Sequence, residues 1–276
     1  MSFFSVSDLT AGYGGGTVVK EISFELEAGE LLGILGANGS GKTTLLESIC
    51  GNLPHEGRCL LDGTGLEGLP PRQLARRCGY IPQRSGIGID IPVLDVVLMG
   101  FNPWLGLLEY PGKAMKERAR ELLERVGLGG REQENYQTLS QGQKQLCVFA
   151  RTLAADSNLL LLDEPESALD FAFRYQMLGL LRDWLKQGRR GAVVTLHDPV
   201  LALNTCDRLL LLQNGENAGI LCPARDTPEE MEQALVRIYG PVTLTSCRDR
   251  RGREQLVLLF SQGETGTAGE KPLGGN

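Results

Sequence analysis

The chain has 276 residues, of which 42% are apolar and 22% are charged, and this allows one large globular domain or two modest ones. No apolar run is long enough to span a bilayer, and the N-terminus lacks a basic segment followed by an apolar one. We therefore expect a cytoplasmic protein that reaches a membrane only through partners. The formal net charge of -6 argues against nucleic acid as a partner, because non-specific binding needs a basic surface.

The seven cysteines are scattered along the chain, and no pair has the C-x-x-C spacing of a zinc site. We expect the two histidines to lie too far from them to complete such a site. The sequence therefore predicts reduced thiols, mostly buried, as is usual in the cytoplasm.

The first sixty residues predict short strands broken by glycine. Residues 18–26 alternate in polarity, residues 31–35 form a compact apolar run, and residues 42–50 have helical character. A strand, a glycine-rich loop and a helix in this order are typical of the entry to an α/β nucleotide-binding fold.

The glycine-rich loop fits the phosphate-binding pattern G-x-x-x-x-G-K-[ST]. Its backbone N–H groups and the following helix N-terminus can hold phosphate oxygens, Lys42 can neutralise the β- and γ-phosphates, and the Thr43 hydroxyl can bind Mg²⁺. A chance match is the alternative, and the strand before and the helix after disfavour it. The residues that we expect to bind ATP here are Gly36, Asn38, Gly39, Ser40, Gly41, Lys42, Thr43 and Thr44.

The next segments predict a helix over residues 71–77 and a strand at 79–81, followed by mostly helical sequence from about 92 to 156. Strands return at the runs 159–162, 192–196 and 208–212. The helical block is therefore predicted to be inserted between two parts of one sheet.

Two carboxylates, Asp163 and Glu164, end the apolar run 159–162. At the carboxyl edge of a parallel sheet they would face the phosphate loop, which we expect on an adjacent strand. Asp163 suits Mg²⁺ through a bound water, and Glu164 suits a general base that polarises the attacking water. A charged turn after a strand is the alternative.

Residues 139–143, Leu-Ser-Gln-Gly-Gln, resemble the signature motif of ABC ATPases, with Gln141 in place of a glycine. Ser140 and the N–H of Gly142 can still open a helix and bind a γ-phosphate, and the resemblance extends that role to Gln143. An ordinary helix cap by Ser140 is the alternative reading, and both can hold at once.

Further family features follow in the right order. Tyr13 resembles the aromatic residue that stacks on adenine, with Val18 beneath the ring, and Gln83 resembles the glutamine that senses Mg²⁺ and the attacking water. Residues 167–170, ending in Asp170, resemble the loop that crosses the dimer interface, and His197 resembles the histidine that contacts the γ-phosphate.

Three residues depart from the family pattern: Gln141, Glu166 where threonine is common, and Gln145 where arginine is common. None removes a group that hydrolysis needs. The resemblance covers residues 3–240 and implies ATP and Mg²⁺ as cofactors, with Lys42, Gln83, Glu164 and His197 in catalysis and Thr43, Gln83 and Asp163 at the metal.

The same resemblance implies a P-loop ATPase core of α/β class with a mixed, mainly parallel sheet, an N-terminal antiparallel β-subdomain and an inserted helical subdomain. We expect a single domain over 1–261, with the core at about 1–83 and 157–240, the helical subdomain at 84–156 and a C-terminal β-hairpin at 241–261. Residues 262–276 are polar and glycine-rich and predict a disordered tail.

Only one phosphate loop and one signature occur, and in this family the two meet across a dimer. The resemblance therefore implies a second ATPase subunit, in the simplest case a second copy, together with polytopic membrane permease subunits and a substrate-binding protein reached through the permease. It places the chain at the cytoplasmic face of the plasma membrane.

Several stretches resemble the ATPases of importers for iron–siderophore complexes, haem, cobalamin or oxyanions such as molybdate: 71–77, 93–100, 195–198, 206–210, 227–230 and 238–240. Two other classes remain open. One is a soluble ABC ATPase of DNA repair or translation, although long coiled coils and a second cassette are missing, and the other is a nucleotide-binding regulator that does not hydrolyse ATP.

The segment from Arg84 to Trp104 has a high apolar density, with glycine at 86 and 88. We expect residues 93–99 to be core and Phe101–Trp104 to form a turn with two exposed aromatic rings. Apolar groups on turns often mark a docking surface, and in the resembling family this region receives a short helix of the membrane subunit. Completion of the local core is the alternative.

Overall fold

The structure is a computed structural model that describes residues 2–83, 86–167 and 169–260. The predicted tail at 262–276 and Arg84 lie outside the described residues. The strands of the described residues are β1 Phe4–Tyr13, β2 Gly16–Leu26, β3 Leu31–Leu35, β4 His55–Leu61, β5 Thr64–Gly65, β6 Cys78–Ile81, β7 Leu159–Asp163, β8 Gly191–Thr195, β9 Arg208–Gln213, β10 Glu216–Leu221, β11 Val242–Arg248 and β12 Glu254–Phe260.

The helices lie mainly in the second and third quarters of the chain. They are α1 Lys42–Ile49, α2 Pro71–Arg77, α3 Val93–Leu98, α4 Lys113–Arg125, α5 Gln141–Ala154, α6 Phe171–Leu185, α7 Pro199–Thr205 and α8 Pro228–Tyr239, with short 3-10 helices at Met99–Trp104 and Tyr136–Thr138. No helix among the described residues is both long and apolar enough to cross a membrane.

The strands form a central sheet with the order β10-β9-β3-β8-β7-β6 and an antiparallel sheet with the order β2-β1-β4-β5. In the central sheet β9, β3, β8, β7 and β6 are parallel, and β10 runs antiparallel to β9. This confirms the predicted fold class, an α/β core with an N-terminal antiparallel β-subdomain.

The central sheet is buried on both faces, and the leucine-rich strands explain why. In β7, Leu160 and Leu162 pack into the core shared with the helical block, whereas Leu159 and Leu161 pack into the core shared with the antiparallel sheet. Successive side chains of a strand point to opposite faces, so an unbroken apolar run requires a cover on each face.

The helical block leaves and re-enters the sheet at neighbouring strands. Residues 82–158 separate β6 from β7, and these two strands pair with each other in parallel, Cys78 opposite Leu159. Helices α3, α4 and α5 contact one another within this segment. The predicted insertion of a helical block between two parts of one sheet is therefore confirmed.

The expected exposed turn at Phe101–Trp104 is wrong for one of its two aromatic residues. The segment is the 3-10 helix Met99–Trp104, in which Phe101 is only 9% exposed while Trp104 is 45% exposed. Gly100 explains the difference, since a Cβ at this position would lie 2.1 Å from the carbonyl oxygen of Arg151. The missing side chain lets the segment press against α5, which turns Phe101 into the core.

The contact at Gly100 gives a stability prediction. Gly100→Ala forces the 3-10 helix away from α5, and we expect it to lower the free energy of unfolding by about 1–3 kcal/mol, as overpacking does in other cores. Gly112→Ala is the matched control, because a Cβ there meets nothing within 4 Å. Urea unfolding followed by circular dichroism compares the two variants, and equal midpoints would contradict the packing argument.

Candidate functional site

The phosphate loop connects β3 to α1, and its conformation depends on two glycines. A Cβ at Gly36 would lie 2.4 Å from the carbonyl oxygen of Leu212, and Gly41 has a φ of 100° with Val19 in the way of any side chain. The left-handed region and the close backbone approach both favour glycine. The loop can therefore adopt this curl only with the glycines that the sequence has.

Lys42 lies at the first position of α1, and its ammonium group folds back over the loop. Its Nζ donates hydrogen bonds to the carbonyl oxygens of Gly36 at 2.9 Å and Ala37 at 3.3 Å. Burial lowers the pKa of Lys42, and the neighbouring carboxylates of Glu164 and Asp163 oppose that shift. An anion bound in the loop would favour the charged lysine further.

A cavity of about 350 Å³ opens at this loop. It brings together a large part of the predicted site, because its lining includes residues of the loop, the glutamine after β6 and the residues after β7 and β8. The lining residues are Val18, Asn38, Gly39, Ser40, Gly41, Lys42, Thr43, Thr44, Gln83, Glu164 and His197.

The acidic strand does not pair with the phosphate-loop strand, contrary to expectation. Strand β8 lies between β3 and β7 and pairs in parallel with both. Parallel order still brings all three carboxyl ends to one edge of the sheet, so Asp163 and Glu164 face the loop across the end of β8. The insertion of β8 also supplies a residue that the sequence analysis missed.

That residue is Thr195, the last residue of β8. Its hydroxyl donates to Asp163 Oδ1 at 2.8 Å and accepts from the Glu164 backbone N–H at 2.8 Å. Thr195 is fully buried, so the two bonds form without competition from water. One hydroxyl thus holds both acidic residues. In the sequence, the signal for this role is a polar residue at the end of a buried apolar strand.

Glu164 is the centre of the charged network in the cavity. Its Oε2 accepts a hydrogen bond from Gln83 Nε2 and lies 2.6 Å from His197 Nε2, and its Oε1 lies 3.9 Å from Lys42 Nζ. The backbone of Glu164 has a φ of 46°, an uncommon value for a residue with a side chain. Strain of this kind is often found at functional sites, where the surrounding contacts maintain it.

Glu166 is a third buried acid at the site, which stands out in the sequence only as a departure from the family pattern. It is 2% exposed, its Oε1 accepts from the backbone N–H of His197 at 3.1 Å, and its Oε2 has no hydrogen-bond partner among the described residues. Burial raises the pKa of this carboxyl, and the charge of Glu164 raises it further. Glu166 therefore positions the segment that carries His197.

Tyr13, which was predicted to stack on adenine, has its hydroxyl group engaged in a hydrogen bond. The ring is 51% exposed, and the hydroxyl donates to Glu47 Oε2 at 2.5 Å. Glu47 lies on the outer face of α1, and no sequence pattern around it predicts this contact. This hydrogen bond fixes the Tyr13 ring beside α1, the helix that follows the phosphate loop.

Six predicted nucleotide contacts are not among the residues that line the cavity: Tyr13, Gly36, Ser140, Gly142, Gln143 and Asp170. Ser140 and Gln143 form a capping box at the N-terminus of α5, which also contains Gly142, and Asp170 caps α6 by accepting from the Phe173 N–H at 3.1 Å. Ser140 and Asp170 are exposed. The structure thus bears out the capping alternative for Ser140 and leaves these groups free to meet a ligand from outside.

Two buried polar atoms without a protein partner have the chemistry to meet a phosphate group and a cation. Ser40 is 4% exposed and Asp163 fully buried, and Ser40 Oγ and Asp163 Oδ2 find no hydrogen-bond partner among the described residues. Burial raises the pKa of Asp163, and the hydroxyls of Thr195 and Thr43 oppose that shift. A buried carboxylate oxygen without a partner is a ligand that Mg²⁺ prefers, and a loop hydroxyl suits a phosphate oxygen.

The double role of Thr195 gives a prediction for catalysis. Thr195→Val keeps the shape but removes both hydrogen bonds, and we expect ATP hydrolysis to slow about 10- to 100-fold, the usual effect of losing such a supporting contact. Thr195→Ser keeps the hydroxyl and should retain most of the rate. Steady-state hydrolysis with Mg²⁺ compares the three proteins, and a valine variant as fast as the serine variant would contradict the assignment.

Glu166 gives a prediction for the dependence of stability on pH. A carboxyl whose pKa is raised by folding destabilises the folded state as the pH rises from the usual carboxyl range through the raised pKa, because the folded state then holds its proton more tightly. Glu166→Gln should therefore unfold at a higher temperature than the parent at about pH 8, with the difference shrinking as the pH falls.

Thermal unfolding followed by circular dichroism at several pH values measures this difference. Glu121→Gln is the control, since Glu121 is exposed on α4. A difference between Glu166→Gln and the parent that does not change with pH would count against a raised pKa for Glu166.

Comparisons with known proteins identify the family of the chain. A model of the ABC transporter family matches residues 19–167, more than half of the chain. A hemin import ATP-binding protein of Pseudomonas aeruginosa is 38% identical over 260 residues, covering 91% of this chain and 98% of the relative. The corresponding protein of Deinococcus radiodurans is 37% identical over 247 residues, covering 87% and 91%.

Solved structures give the same result. A metal-chelate type ABC transporter in an inward-facing conformation aligns with a TM-score of 0.79 at 26% identity, covering 94% of this chain and 98% of that chain. A dimeric bacterial ABC transporter cassette aligns with a TM-score of 0.71 at 25% identity, covering 81% and 100%. The chain therefore belongs to the ABC transporter family, as one of its ATP-hydrolysing subunits.

Proposed function

We propose that this chain hydrolyses ATP at the cavity described above to power the import of a metal chelate, with haem as the preferred candidate. The observation that carries the proposal is the position of Glu164, which contacts Gln83, His197 and Lys42 at the mouth of the phosphate loop. A glutamate held by a glutamine and a histidine beside a phosphate loop can activate water, which a purely nucleotide-binding regulator does not need.

The loop residues have separate tasks in binding. The backbone N–H groups from Asn38 to Thr44 and the ammonium group of Lys42 bind the phosphates of ATP, and the α1 N-terminus adds its dipole. Thr43, Gln83 and Asp163 would hold Mg²⁺, which when bound would neutralise charge on the phosphates. Tyr13 and Val18 would form the platform on which the base stacks.

Hydrolysis depends on the state of Glu164. As a carboxylate it accepts a proton from the attacking water, and Gln83 can orient that water because the amide already reaches the same carboxylate. His197, which lies 2.6 Å from the same Glu164 oxygen that Gln83 reaches, can donate to the γ-phosphate as charge develops there. Lys42 remains on the phosphates throughout.

A second copy of the chain completes the site. Ser140, Gly142, Gln143 and Asp170 have the chemistry of nucleotide contacts, but they lie at the N-termini of α5 and α6 rather than in the cavity. The helix N-terminus at α5 can present Ser140 to a γ-phosphate held by the partner copy. We therefore infer a homodimer with ATP between the two copies, so that binding closes the dimer and hydrolysis releases it.

The proposal of haem rests on relatives and not on a residue of this chain. Two bacterial relatives at 37–38% identity are named hemin import ATP-binding proteins. We infer that the chain serves polytopic permease subunits and, through them, a substrate-binding protein, from the cytoplasmic face of the plasma membrane.

We also retain the predicted division of the chain into a core, a helical subdomain at about 84–156 and a C-terminal hairpin.

The permease would dock at the start of the helical subdomain. Ile89 is 59% exposed and Trp104 is 45% exposed, while Ile87 is partly buried against the core. Trp104 is held in place by a hydrogen bond from its indole N–H to the Ala155 carbonyl at 2.7 Å and by Arg76 stacked on its ring. Gln83 precedes this surface in the chain, which would link the γ-phosphate to the docked subunit.

The decisive experiment combines hydrolysis with uptake. Glu164→Gln removes the base but keeps the shape, and we expect hydrolysis to fall about 10²- to 10⁴-fold while ATP still binds. In cells that lack the native gene, the parent should restore growth on haem as the iron source and the variant should not. Glu216→Gln is the control, because Glu216 is exposed in β10.

The outcomes separate the proposed function from the alternatives. Unchanged hydrolysis in Glu164→Gln would refute the base assignment. Normal hydrolysis by the parent with rescue on an iron–siderophore complex or cobalamin and not on haem would keep the ATPase and change the substrate. Hydrolysis without any effect on uptake would favour a soluble ABC ATPase.

A further inference from the structure

Three potential metal ligands meet in the antiparallel sheet, away from the nucleotide cavity. His55 and Cys59 lie four residues apart in β4, and Glu67 follows β5. One donor atom from each residue lies within 4.8 Å of the other two. The prediction that the histidines lie too far from the cysteines is wrong for His55, which shares one face of β4 with Cys59.

Two of the three distances between donor atoms fit the ligands of a tetrahedral ion. His55 Nε2 lies 3.8 Å from Cys59 Sγ and 3.5 Å from Glu67 Oε1. Ligands bound to zinc at about 2.0–2.3 Å in a tetrahedron lie about 3.3–3.8 Å from one another. A neutral or charged hydrogen bond from the imidazole to Glu67 would normally be well under 3.2 Å.

The surroundings hold these ligands in place. Glu67 Oε1 also accepts a hydrogen bond from the backbone N–H of Cys59, and the Leu66 N–H donates to the Cys59 carbonyl at 2.9 Å. Cys59 is fully buried, and the side chain of His55 is only 9% exposed. Ordered supporting contacts of this kind are what orient the ligands of a metal site.

The charges of the three ligands balance a divalent cation. A thiolate at Cys59 and a carboxylate at Glu67 carry one negative charge each, and a neutral His55 adds none, so their sum matches the charge of Zn²⁺. Sulfur, imidazole and carboxylate together suit zinc rather than magnesium or calcium, which take oxygen ligands. Glu67 is 36% exposed, which leaves an open side for a water as the fourth ligand.

We propose that His55, Cys59 and Glu67 form a zinc-binding site that ties β4 to the segment after β5. None of the three residues lines the nucleotide cavity. The site lies in the core that the antiparallel sheet shares with Leu45, Leu46 and Ile49 of α1. Zinc binding would stabilise the sheet on which the phosphate-loop helix packs.

The affinity of the site should depend on pH. Burial and the nearby carboxylate of Glu67 raise the pKa of the Cys59 thiol. Zinc displaces the thiol proton when it binds, so binding tightens as the pH rises.

Cobalt is the probe that tests the proposal, because a thiolate bound to Co²⁺ gives a charge-transfer absorption. The full-length protein, stripped with a chelator, should take up one equivalent of Co²⁺ with this absorption and lose it on addition of Zn²⁺. Cys59→Ser should abolish the absorption, and Glu67→Gln should weaken binding about 10- to 100-fold, as altered metal-site residues usually do. Cys206→Ser and Cys247→Ser are the controls for a buried thiol and an exposed thiol outside the cluster.

Two results would overturn the proposal. One is an absorption that persists in Cys59→Ser or disappears in Cys247→Ser, which would place the metal at another thiol. The other is a rise in the unfolding temperature on adding Zn²⁺ that is equal in the parent and in Glu67→Gln. Because Glu67 is partly exposed, its amide variant should fold, and the readout does not depend on ATP hydrolysis.

Discussion

An excess of buried negative charge at one edge of the central sheet governs the nucleotide site. Three acids, Asp163, Glu164 and Glu166, and one lysine, Lys42, are each at most 5% exposed. With all four ionised the cluster carries a charge of 1 - 3 = -2, close to a site where an anionic ligand must enter. Burying charge without compensation is costly, so the folded protein needs a cation there, or a proton. Burial raises the pKa of Asp163 and Glu166, and the charge of Glu164 adds to both shifts, whereas burial lowers the pKa of Lys42 and the three carboxylates oppose that shift.

The sequence predicts those parts of the site that depend on interactions between residues close together in the chain. The glycines of the phosphate loop, the lysine after them and the acids after a leucine run are close neighbours in the chain, and each has a pattern with one physical reason. Sequence could not predict which strands lie side by side, because pairing is decided by the packing of distant elements. The insertion of β8 between β3 and β7 and the two bonds of Thr195 follow from that pairing.

The same limit explains the other differences. Phe101 was expected on the surface because a proline and an asparagine follow it, but the absent side chain at Gly100 allows a contact with α5 across fifty residues. The bond from Tyr13 to Glu47 joins an exposed turn to the outside of a helix. His55, Cys59 and Glu67 are close in the chain, yet their convergence depends on how β4 and β5 pair. In each case the missing information was a tertiary contact.

The backbone conformation of Glu164 has a consequence for how this position can vary. Its φ of 46° is one that asparagine and aspartate adopt more readily than glutamate. The shorter acid would relax the backbone, but it would withdraw the carboxylate from Gln83 and His197 by one methylene. The longer side chain keeps its reach at the expense of local conformational preference. Two demands therefore act on this position. A relaxed backbone favours aspartate or asparagine, whereas a carboxylate that reaches the water-activating position requires glutamate.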